Sequence, residues 1–170
     1  MVVKRLATAI IAAGILICAG LSCRAEGKYF AAVIRELPQA TVSLDQALKA
    51  SDREGSPISA EYDVQDGDLQ ISVYAQSGDQ FSEVIVDPRS GMVIKTKPLT
   101  DPREINEARE QSAALAKAKL PLEAALETAV SANRGYRAIS VIPMLGENES
   151  VAAITLIKGE DIKTVAESLE

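Results

Sequence analysis

Ile58-Ser59-Ala60-Glu61-Tyr62-Asp63-Val64-Gln65-Asp66-Gly67-Asp68-Leu69-Gln70-Ile71-Ser72-Val73-Tyr74-Ala75 is the stretch that decides the fold class. Ile58, Ala60, Tyr62 and Val64 alternate with polar residues, and so do Leu69, Ile71, Val73 and Ala75. Successive side chains of a strand point to opposite faces, so this period of two predicts strands over 58–64 and 69–75, each with one buried face. Asp66-Gly67-Asp68 between them supplies hairpin turn chemistry. Gly78-Asp79 marks a second turn before a third strand over 81–86. In Asp87-Pro88-Arg89-Ser90-Gly91, Asp suits the first turn position, Pro presets φ at the second, and Gly91 supplies a left-handed residue. A short return strand over 92–96 follows.

On the N-terminal side the period changes to that of a helix. Ser43 stands as N-cap, and Leu44, Ala47, Leu48 and Ser51 form one small face. Gly55-Ser56-Pro57 ends this helix in what reads as a loose break, where Gly55 tolerates a Cβ better than Gly91 does. Further upstream, Phe30, Val33, Ile34 and Leu37 give a helical lead-in over 26–36 that Pro38 interrupts. On the C-terminal side, Asp101 caps a connecting helix with Pro102 at its first position and Glu104 three residues on. Its apolar stripe of Ile105, Ala108, Ser112 and Leu115 is narrow, which predicts a largely solvated helix.

The rest of the chain repeats the pattern. Val42-Ser43-Leu44-Asp45-Gln46-Ala47-Leu48 matches Leu120-Pro121-Leu122-Glu123-Ala124-Ala125-Leu126. At the same offset Ile58, Ala60, Tyr62 and Val64 correspond to Tyr136, Ala138, Ser140 and Ile142. Gly78-Asp79-Gln80-Phe81 is echoed by Gly159-Glu160-Asp161-Ile162, and Val84 by Val165, after a small insertion. The expected fold is α+β: two repeats of a helix plus a small antiparallel sheet, joined by a connecting helix. The segments are 1–25, 26–40, 41–97, 98–118 and 119–170: signal peptide, lead-in, first repeat, connector and shorter second repeat. Each repeat alone has little core, so the two should pack together.

The first repeat resembles a PepSY module. The resemblance rests on the helix at Val42 to Leu48, the paired strands, and Glu83-Val84-Ile85-Val86-Asp87-Pro88-Arg89-Ser90-Gly91-Met92-Val93. It covers 41–97 well and 118–170 weakly, where the second copy is degenerate and truncated. PepSY modules occur in propeptides of secreted metallopeptidases and in bacterial envelope proteins, with a proposed role in controlling peptidases. The resemblance therefore implies a regulatory partner, a peptidase or a peptide segment.

The N-terminus reads as an export signal. Met-Val-Val-Lys-Arg opens it, an uncharged apolar run covers 6–21, and Ser22-Cys23-Arg24-Ala25 places small residues at a cleavage site after Ala25. The run is short for a spanning helix. Two alternatives stand: retention as a membrane anchor, or lipidation at Cys23 within Gly20-Leu21-Ser22-Cys23. Either way the chain belongs in the periplasm or the extracytoplasmic envelope. Lys4, Arg5 and Arg24 lie in this segment, and none of the 24 acidic residues does. The remainder then carries 15 basic against 24 acidic side chains, a net charge of −9. Such a chain repels phosphate backbones, so nucleic acid is not an expected partner.

Little points to catalysis. The chain has no His, and its two Cys, Cys18 and Cys23, both lie in the N-terminal segment. Ser43, Ser51, Ser72 and Ser82 have no His to act as base. Asp63, Asp66, Asp68, Asp79 and Asp87 are oxygen-rich, but the ordered Asp-x-Asp-x-Asp-Gly calcium loop is absent, and Asp-Gly is hairpin chemistry. Gly135, after Asn133-Arg134, reads as a helix C-cap rather than part of a phosphate loop. No catalytic, cofactor or metal residue is expected. Tyr62, Tyr74 and Tyr136 sit on strands and Tyr29 in the lead-in; Tyr62 and Tyr136 read as core or core-edge residues, with anchoring of a peptide partner as the alternative. The expected function is an exported, non-catalytic binding or regulatory module that modulates a peptidase or binds a peptide segment, with addition of an extended peptide to a sheet edge as one mode of binding. The alternative is an assembly protein that homodimerises through the open edge left by the shorter second repeat.

Overall fold

The computed structural model describes residues 22–146 and 149–170, with side chains from residue 27 onward. The expected signal segment lies outside the described residues, except that 22–25 begin the first helix; the side chain of Cys23 is not described. The chain folds as α+β, with four α-helices and one seven-stranded antiparallel sheet among the described residues.

The helices are α1 (Ser22–Glu36), α2 (Leu44–Ser51), α3 (Pro102–Leu115) and α4 (Leu122–Ala132), with a 3-10 turn at Leu37–Gln39. The strands are β1 (Ser56–Gln65), β2 (Asp68–Ser77), β3 (Gln80–Val86), β4 (Val93–Pro98), β5 (Arg137–Leu145), β6 (Ser150–Lys158) and β7 (Asp161–Ser168). The caps are local chemistry. The Ser43 N–H donates to Gln46 Oε1 at 2.9 Å at the start of α2, and Asp101 Oδ1 accepts from the Arg103 N–H at 2.8 Å at the start of α3. At the end of α4 the cap is Asn133, not Gly135. The Asn133 amide donates to the Ala129 carbonyl at 2.7 Å, and Gly135 takes a positive φ of 84° two residues later.

The order of the sheet, β4-β3-β2-β1-β5-β6-β7, replaces the two small sheets expected from the sequence with one continuous sheet. The junction is short: Ala60 lies opposite Val141 and Glu61 opposite Ser140. Around this junction the two halves share particular details. A bulge falls at Ile58 in β1 and at Ile139 in β5. The N–H groups of Thr41 and Val42 both donate to the Pro88 carbonyl, at 2.9 and 3.0 Å. Those of Lys119 and Leu120 both donate to the Leu169 carbonyl, at 2.6 and 3.0 Å.

The faces of β5 differ from the expected alternation of Tyr136, Ala138, Ser140 and Ile142, because a bulge takes up Ile139 in β5 as one takes up Ile58 in β1. A shift by an odd number exchanges the faces of a strand. Ile139 and Val141 are therefore fully buried in the core, while Ser140 and Ile142 turn to the other face.

One face of the sheet packs against α1, α2 and α4. Val33, Leu44, Leu48, Tyr62, Ile71, Val73, Ile139, Ile154, Leu156 and Leu169 are buried there in one core shared by both halves. Each aliphatic side chain among them contributes about 1.5–3 kcal/mol of transfer free energy. On the opposite face α3 lies across β1, β5 and β6, with a small apolar cluster of Ile58, Phe81 and Ala108 beneath and beside it. No helix among the described residues is long and apolar enough to cross a membrane.

Candidate functional site

Two features present chemistry to solvent: the free edges of the sheet, and a cleft beneath α3.

The edges differ. β4 pairs with β3 through a register shift between Ile85 and Val86, carries Lys95 and Lys97, and ends at Pro98. Thr96 Oγ1 also donates to Glu54 Oε2 at 2.8 Å. Bulges, lysines and proline are the usual guards of an edge strand. β7 has fewer of them. It runs in unbroken register with β6 from Val151 opposite Ser168 to Lys158 opposite Asp161, without proline or bulge. Among the described residues no strand lies on its other side. Its end is fastened: the Leu169 N–H donates to the Ser150 carbonyl at 2.9 Å, and Lys119 pairs with Glu170 at 2.7 Å. Tyr136, beside the start of β7, donates its hydroxyl proton to Asp161 Oδ2 and lies under the Lys163 ammonium, 4.1 Å from the ring centroid.

The cleft is lined by Ser59, Glu61, Tyr74 and Ile142 from the sheet and by Glu104, Glu107, Ala108 and Gln111 from α3. Its free volume is about 20 Å³, room for one water. Ser59 Oγ donates to Gln111 Oε1 at 2.7 Å, and the Ser112 hydroxyl donates to Gln76 Oε1. Alongside, Glu83 is buried. It accepts from Ser72 Oγ at 2.9 Å and faces Lys97 Nζ at 3.7 Å. Burial is the main force pushing the Glu61 carboxyl up to about 8, with the charges of Asp63, Glu83 and Glu107 adding to it. Burial likewise raises the Tyr74 phenol, again with Glu61 and Glu83 adding. A second hollow of about 290 Å³ opens between the β1–β2 and β3–β4 turns, where Asp68, Asp87, Arg89 and Ile94 meet.

The residues singled out in the sequence are spread over the molecule. Asp66, at a positive φ of 54°, and Asp68 belong to the β1–β2 turn. Asp79 lies in the β2–β3 turn at the other end of the sheet. Asp87 is committed to its own turn: its Oδ1 accepts from the Ser90 N–H at 2.7 Å, Ser90 Oγ at 2.8 Å and the Arg89 N–H at 3.1 Å. Those bonds, the Ser90 ones first, hold its carboxyl below the usual range. Tyr62 is fully buried and donates to the Val42 carbonyl, while Tyr29 donates to the Tyr62 carbonyl at 2.6 Å. Tyr136 sits just before β5 and is not the counterpart of Tyr62. Ser51 and Ser72 are buried, hydrogen-bonded to the Ala47 carbonyl and to Glu83.

Sequence reading passed over Glu61, Glu83 and Arg137. Arg137 donates to the Ala40 and Val42 carbonyls at 2.8 and 2.9 Å, contacts the Tyr62 hydroxyl, and stacks 5.0 Å from that ring. It ties the start of β5 to the segment before α2 and to Tyr62, beside the β1–β5 pairing.

No protein-family model and no curated protein sequence matches the chain. Among solved structures, a Clostridium difficile 630 protein described as a "putative lipoprotein" is similar at a TM-score of 0.45 and 14% identity. The match covers 77% of this chain and 88% of that one. A likeness of that size says nothing of function.

Proposed function

We propose that this chain is an exported, non-catalytic module of the cell envelope, related to the PepSY family, that binds an extended peptide segment at the outer edge of β7. The observation that carries the reading is that edge: unbroken pairing with β6 on one side and no strand on the other among the described residues. Main-chain donors and acceptors along such an edge recognise extended backbone and require few conspicuous side chains. The repeated helix-and-three-strand order, with matching bulges and matching turn closures, supports a duplicated module. The apolar run before Ala25 supports export, and the absence of His supports a role without acid–base chemistry. A peptidase, or a peptide segment of one, is the partner class the family resemblance favours.

Selection of displayed peptides on the immobilised protein, followed by sedimentation of the chain alone and with a selected peptide, tests this reading. Extended peptides that bind a monomer support it. A chain that self-associates and takes no peptide supports instead an assembly protein joined through the same edge.

A further inference from the structure

α3 is held on the sheet unevenly. At its C-terminal end Ala114 is fully buried, its carbonyl accepts from Ser150 Oγ at 2.8 Å, and Leu115 packs against both apolar clusters. Toward its N-terminus the apolar contacts are Ile105 and Ala108, and the rest of the contact surface is the acidic cleft. There Glu104 and Glu107 of α3 close over Glu61 of β1. The other charged or titratable groups facing Glu61 are Asp63 on its own strand, Tyr74 on β2, Glu83 on β3 with Lys97 of β4 beyond it, and Tyr29 of α1. β5 contributes Ser140 and Ile142, neither of which titrates here.

We propose that α3 is a pH-dependent clamp, whose N-terminal half rests on the sheet while Glu61 is protonated and loosens from it as Glu61 ionises. Both walls of the cleft carry carboxyls, in a space that admits about one water. A new negative charge there is opposed by those of Asp63, Glu83 and Glu107. The part of α3 with the fewest apolar contacts yields first, because local openings follow local stability. Titration near pH 8 places the change close to neutrality rather than in the acid range of ordinary carboxyls.

Hydrogen exchange of the full chain at pH 6 and pH 9, corrected for intrinsic rates and referenced to β2, tests the clamp. Protection of the amides in the N-terminal half of α3 falls at least about tenfold in the parent between the two pH values, since one unit of pKa displacement corresponds to a tenfold factor. In Glu61→Gln it stays constant. Glu107→Gln, which removes one opposing charge, gives a smaller loss than the parent and serves if circular dichroism shows Glu61→Gln unfolded. Equal protection at both pH values in the parent, or a full parental loss in whichever of the two variants folds, overturns the proposal.

Discussion

Gly91 and Gly55 show how far a single residue can be read. Gly91 has φ +73°, and a Cβ added there would meet Val42 Cγ2 only at an ordinary 3.6 Å. Its cost is therefore backbone strain, and Gly91→Val, a β-branched residue forced to positive φ, should lose about 1–3 kcal/mol. Gly55 reverses the sequence expectation. At φ +149° its added Cβ would sit 2.8 Å from the backbone oxygen of Gln76, so Gly55→Ala meets strain and a clash with backbone. We expect Gly55→Ala to lower the melting temperature at least as much as Gly91→Val. A Gly55→Ala melt that coincides with the parent would refute the close approach. The turn glycine was legible because Asp-x-x-x-Gly is local chemistry. The close approach of Gly55 to β2 was not, because it depends on how two strands pack.

At the scale of elements, the strands over 58–64, 69–75 and 81–86 emerge within a few residues of β1, β2 and β3, because alternation and turn residues act locally. Facing was legible in the first half and misread in the second. The bulge at Ile139 puts Ile139 and Val141 in the core where Ser140 and Ile142 were expected to alternate. The cleft was invisible for a different reason: Glu61 reads as part of the polar face of a solvated strand, and only α3 crossing that face covers it. This burial makes a pH prediction. Glu61 titrates near 8 when folded against 4.5 in its ordinary state, so between those values the folded chain holds the extra proton. Stability should be greatest below about pH 4.5 as far as this group is concerned, fall as pH climbs to about 8, and level off above. Urea midpoints at pH 5, 7 and 9 should decline in the parent, and the decline should be shallower in Glu61→Gln. Identical slopes would remove Glu61 as the cause. Arg137 acts between elements. Arg137→Met leaves the Ala40 and Val42 carbonyls without their charged donor and should cost about 1.5–3 kcal/mol by chemical denaturation. A loss within experimental error would show that the apolar core and the β1–β5 pairing join the halves without help from Arg137.

For the molecule as a whole, the α+β class was legible. The seven-strand continuity was not, since it rests on two residue pairs, Ala60 with Val141 and Glu61 with Ser140, far apart in sequence. Export belongs to this scale too: intact mass of the envelope-extracted protein should correspond to a chain beginning at Glu26. A diacylglyceryl mass on Cys23 would replace that with a lipoprotein. The central claim, that β7 is the working edge, is tested most directly by hydrogen exchange of the protein with and without a selected peptide. Amides of β7 over Asp161–Ser168 should gain protection, while those of β4 over Val93–Pro98 stay unchanged. Protection gained at β4 or at the α3 cleft, with β7 unaffected, would contradict it.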